Sequence, residues 1–170
     1  MKKPVMIAII AVVIVAIIVA VVVGISLNKP NNEEDGNKPQ EITDAESFKN
    51  AMQEKGYMVM DAKSQFANYS KIEKVYIATN ESYSYQIEFY QISEDAYATS
   101  FYNNNKSKFE ALKTENSVET NNDLENKSKY TLTTDDKYKV ISKVNNNIIY
   151  VDVKLEYKDT VLKILEELGY

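Results

Sequence analysis

Residues 6–27 read MIAIIAVVIVAIIVAVVVGISL, a run without a single charge. A secretory signal has an apolar stretch of about 7–15 residues and ends at a small-x-small cleavage site. Here the uncharged run extends over residues 4–28, and no convincing A-x-A site follows it. As a helix, residues 5–27 span about 35 Å at about 1.5 Å per residue, enough to cross a hydrocarbon core of about 30 Å. No Cys follows, so a lipoprotein anchor is excluded. We therefore expect an uncleaved, single-pass transmembrane anchor over residues 5–27.

Lys2 and Lys3 precede the run, and Lys29 and Lys38 follow it. Glu33, Glu34 and Asp35 contribute little to the rule that sets orientation. A short positive N-terminal tail favours residues 1–4 in the cytoplasm and the C-terminal domain outside the cell membrane. Such a tail holds no signalling domain, so any signal would pass through a partner. Ala16, Ala20 and Gly24 recur every fourth position, the spacing that lets two membrane helices pack closely. A span built from Ala, Val and Ile also yields such spacings by composition alone.

The next stretch, NKPNNEEDGNKPQE, is polar and aperiodic with two Pro and a Gly. It reads as a flexible tether over residues 28–42, with a reach of roughly 20 Å. The remaining residues, 43–170, make one domain, large enough to bury a core without disulfides. Residues 44–170 carry 16 Lys against 21 Asp plus Glu. That acid balance argues against nucleic acid as a partner.

Cys, His, Trp and Arg are all missing, while Asn, Lys, Ile and Tyr abound. AT-rich codons explain that bias, which points to a low-GC bacterium. Without Cys or His there is no thiol nucleophile, no Ser-His-Asp triad and no ordinary zinc site.

The pattern of residues 43–170 predicts an α+β fold: an antiparallel sheet packed by about three helices, in the order α-βββ-α-βββ(β)-α. Thr43 and Glu46 in TDAE form a capping box. Phe48 and Met52 then share a helix face, and YMVM follows Gly56 as a short strand. KIEKVYIAT and YSYQIEFYQI make a hairpin across NES, with Tyr83, Tyr85, Ile87 and Phe89 on one face. Ser93 caps a second helix with Tyr97, Phe101, Phe109 and Leu112 as its inward stripe and NNNK from Asn103 on its wet side. Residues 113–127 hold one weak edge strand and a loop. SKYTLT, KYKVISKV and IIYVDVKL then form a meander in which Ile149, Val151, Val153 and Leu155 share a face. KDTVLKILEELGY is a last helix, capped by Asp159 and stopped by Gly169, with Val161, Leu162, Leu165 and Leu168 apolar. The helices are expected on one sheet face. Helices ending in KGY and LGY allow a tandem αβββ repeat.

The chemical inventory is thin. An S-x-x-K at Ser26 and Lys29 lies at the membrane exit and reads as chance. Glu88 and Asp152 could pair as carboxylates for glycoside hydrolysis, although a polar sheet face explains both. NEEDGN and NNDLEN lack calcium-loop spacing, and no phosphate-binding glycine loop occurs. No cofactor or metal is indicated. The Tyr surplus, 13 in all, suits a binding surface. With one face uncovered, Tyr90 and Ile92 would stand on it. The expectation is a membrane-anchored, non-enzymatic binding or interaction module, meeting the membrane and another envelope protein; the alternative is a carboxylate-dependent enzyme on cell-envelope polymers. Protease added to intact cells should digest residues 43–170; protection until lysis would contradict the orientation.

Overall fold

The computed structural model describes residues 44–124 and 126–170. The anchor at 5–27, the tether at 28–42, Thr43, the Ala16, Ala20 and Gly24 stripe, and Ser26 with Lys29 lie outside the described residues. Among the described residues no helix is long and apolar enough to cross a membrane.

Helix α1 (Ala45–Glu54) is followed by strands β1 (Met58–Asp61), β2 (Ile72–Thr79) and β3 (Gln86–Ile92). Helix α2 (Asp95–Glu110) leads to β4 (Val118–Asp123), β5 (Lys127–Thr133), β6 (Lys137–Val144) and β7 (Asn147–Lys154), and α3 (Lys158–Glu167) closes the order. Short 3-10 turns, Lys63–Phe66 and Leu155–Tyr157, precede β2 and α3. The seven strands form one antiparallel sheet in the order β1-β2-β3-β7-β6-β5-β4. The α+β class, the element order and the weak edge strand at β4, exposed along its whole length, agree with the sequence pattern.

The sheet is covered on both faces, not one. Phe48 and Met52 of α1 and Val161, Ile164 and Leu165 of α3 pack with Ile87, Phe89, Val140, Ile149 and Val151. Phe48 stacks on Phe89 with ring centroids 4.8 Å apart. On the opposite face, Ala98, Phe101, Tyr102 and Phe109 of α2 pack with Val75, Ile77, Tyr90, Leu132, Ile141, Ile148 and Tyr150. Central strands therefore bury both edges of their pleat, as the unbroken apolar run Ile148 to Val151 requires. The two meanders hold three and four strands, and α1 and α2 lie on opposite faces.

Several local expectations shift. Asp44, one residue after Thr43, caps α1, its Oδ1 accepting from the Ser47 amide at 2.8 Å. Glu46 turns away from the helix end and accepts from the Tyr76 hydroxyl. Glu94 occupies the cap position of α2 and Tyr157 that of α3, which leaves Asp159 in the first turn. Tyr83 does not alternate in β3; it sits in the turn with a left-handed φ of 54° and is exposed. The Asn80 side chain holds that turn by accepting from the Ser84 and Tyr85 amides. Leu155 leaves the strand for the 3-10 turn. Asn105 is buried on the inner side of α2, where its amide nitrogen donates to the Phe101 carbonyl at 2.9 Å. Gly169 does stop the last helix, with φ of 81°.

Leu112 falls beyond the end of α2 and is 51% exposed, whereas Phe109 is 2% exposed. Phe109→Ala should cost about 3–5 kcal/mol, and Leu112→Ala less than about 0.5 kcal/mol. Urea unfolding of the two variants checks the contrast.

Candidate functional site

Where β3 ends, three elements meet around a cleft of about 270 Å³. Its lining is Tyr69, Lys71, Ile72, Ile92, Tyr97 and Phe101, with Asn68 and Ser70 at the loop. The loop before β2 turns twice: the Tyr69 amide donates to the Phe66 carbonyl and the Ile72 amide to the Tyr69 carbonyl. The Lys63 ammonium donates to the carbonyls of Phe66 and Tyr69, which holds the loop from below. A register shift between Ile72 and Lys74 marks the irregular start of β2. The Ser93 amide then donates to the Lys71 carbonyl at 2.9 Å, tying the loop to the end of β3. Helix α2 starts immediately afterwards, so Tyr97 and Phe101, one turn apart, form the second wall.

At the mouth, the Lys71 ammonium donates to Glu94 Oε1 at 2.6 Å and lies 4.7 Å from the Tyr97 ring centroid. The hydrogen bond to Glu94 raises the Lys71 pKa. Both partners are about half exposed. Such an exposed pair adds little to stability, so its members are open to exchange of partner. The cleft thus combines aromatic walls, an aliphatic floor of Ile72 and Ile92, and a cation at the rim. That is the usual composition of a small-molecule site.

Farther along the same face, Glu88 of β3 is set among apolar neighbours. Its carboxylate accepts from the Tyr90 hydroxyl and, at 2.7 Å, from the Gln86 amide nitrogen. Burial nevertheless pushes its pKa up, and the Asp152 charge adds to the shift. Across the seam Tyr150 stands opposite Glu88 in register. Asp152 of β7 pairs with Lys139 and Lys137 of β6, and the Lys139 ammonium also lies 5.4 Å from the Phe109 ring centroid.

The structure brings Glu88 and Asp152 onto one sheet face, on neighbouring strands. It does not leave Tyr90 and Ile92 uncovered. Both are buried because α2 packs over them; the Tyr90 ring centroid lies 4.9 Å from that of Phe101. Ile92 reaches the cleft through one edge only of this core. Sequence reasoning missed Tyr69 and Lys71, which lie in an aperiodic loop, and took Tyr97 and Phe101 for plain core. A Tyr and a Phe on the first turns of a helix, beside a Tyr- and Lys-bearing loop, were the available signal.

Comparison with protein-family models and with curated proteins finds no match. A solved structure of a GTP-binding regulator from Thermotoga maritima is similar at a TM-score of 0.44 and 18% identity, covering 77% of this chain and 93% of that chain. A likeness of that size carries no functional argument.

Glu88 gives a testable pH dependence. A carboxyl raised above its unfolded value of 4.5 stabilises the fold below that value, and the contribution is lost as pH rises through the folded pKa. Glu88→Gln should therefore match the parent chain near pH 4 and melt higher at pH 7. Parallel melting curves from pH 4 to 8 would contradict the assignment.

Proposed function

We propose that residues 43–170 form a non-enzymatic ligand-binding domain, displayed outside the cell membrane by the anchor at 5–27 and the tether at 28–42. The cleft at the end of β3 is its ligand site. The observation that carries this reading is the cleft itself: Tyr69, Tyr97 and Phe101 surround Ile72 and Ile92 without filling the space between them. Elsewhere on that face the same kinds of side chain close into core. A ring-sized volume is left where a loop, a strand end and a helix start converge. The uncharged run of residues 6–27 supports the anchor, and the short tether would keep the cleft near the membrane surface.

The reading predicts a localised response to small ring compounds. In the full-length chain, held in lipid nanodiscs with labelled isoleucine methyls, benzyl alcohol should shift Ile72 and Ile92 saturably. Ile149 and Ile164, on the opposite face, should not move. Shifts absent from Ile72 and Ile92, or spread evenly over both faces, would contradict the site.

A further inference from the structure

We propose that the cleft selects a small aromatic monocarboxylate, with the ring between Tyr69, Tyr97 and Phe101 and the carboxylate on Lys71. The inference rests on the cleft being a ligand site and adds the chemical class of what it takes.

Size comes first. An apolar cavity of about 150 Å³ accommodates benzene. A cleft of about 270 Å³ therefore accepts one ring with a short polar arm. Shape comes from three aromatic side chains, whose faces and edges favour offset or edge-on contact with a further ring. Ile72 and Ile92 beneath them offer no hydrogen bond to the inner end of a ligand, so that end must be apolar.

Charge decides the outer end. Lys71 lines the cleft and carries its ammonium over the Tyr97 ring, 4.7 Å from the centroid. Its carboxylate partner, Glu94, comes from outside the lining, at the cap position of α2. Glu94 thus holds the ammonium from outside the cleft, in the hydrogen bond that a ligand carboxylate would take over. A ligand anion would accept from Lys71 in the same way, with the added contact of its ring, and release Glu94 to water. Charge-assisted hydrogen bonds of this kind are about twice as strong as neutral ones. The ammonium matches one negative charge. Asn68 and Ser70 supply polar side chains at the same rim.

The test uses an isosteric pair, phenylacetate and phenylacetamide, titrated into the full-length chain in nanodiscs with the Ile72 and Ile92 methyls as reporters. Phenylacetate should bind about tenfold more tightly than phenylacetamide. Lys71→Gln should bring the phenylacetate affinity down to that of the amide. Glu94→Gln should raise it several-fold, because the competing carboxylate is gone. Both positions are exposed enough to tolerate an amide, and unchanged methyl spectra of the free variants confirm the fold. Equal affinities for the two compounds, or a preference that survives Lys71→Gln, would overturn the carboxylate class while leaving the cleft as a site. No shift of Ile72 or Ile92 with either compound would overturn the site together with its ligand class.

Discussion

The pairing of β3 with β7 is the contact on which the remaining architecture depends. It joins Glu88 to Tyr150, Phe89 to Ile149, Tyr90 to Ile148 and Gln91 to Asn147. Every other strand pair links neighbours in sequence. This pair closes a long loop and bears the chain-entropy cost of doing so. In return it merges a three-stranded and a four-stranded meander into one sheet with two buried faces. Phe89 and Ile149 supply one face, Tyr90 and Ile148 the other. At its end, the Ile92 amide donates to the Asn146 carbonyl and the Asn146 side chain returns a bond to the Ile92 carbonyl.

That seam also locates the cleft. Once β3 is fixed at the centre of the sheet, its last residue, Ile92, must lie under the start of α2. The loop before β2 is drawn to the same point by the Ser93 amide and the Lys71–Glu94 pair. Lys139 and Lys143, buried on the α2 face, show how charge is handled nearby. Each finds a carboxylate, Asp152 and Asp95 respectively. Lys71 differs in that the lysine itself is about half exposed and lines an open space.

Much of the fold was legible in the residues. Ile87 and Phe89 alternate as the hairpin reading requires, the exposed VETNND makes the weak edge strand, and Gly169 ends α3. What failed was assignment to faces. The stripe of Phe101 and Phe109 says which side of α2 points inward, but not which side of the sheet receives it. The run Ile148 to Val151 carried that information, since four consecutive apolar residues cannot all face one helix layer. Tyr90 and Ile92 were consequently expected on an open surface that α2 in fact covers. The cleft was missed, although Tyr97 and Phe101 at a helix start beside the Tyr69 and Lys71 loop were a signal for it. Its loop, from Asn68 to Lys71, has no periodicity, and its walls are residues that single-sequence patterns read as core. Glu88 and Asp152 were read as solvent-facing carboxylates on a polar sheet face; they do share a face, but it is the one α2 packs on, and burial raises the Glu88 pKa. Their hydrogen-bond and ion-pair partners come from register, which no local pattern encodes.

The claim that one seam makes the described domain a single unit can be tested by native-state hydrogen exchange of the full-length chain. Amides in β3 and β7 should be the slowest to exchange, and the slowest amides of β2 and β6 should share their dependence on denaturant. This is the behaviour of one cooperative unit opening at the global unfolding free energy. Two separate classes, with β1 to β3 opening at a different free energy from β5 to β7, would show that the meanders are independent and would contradict the account.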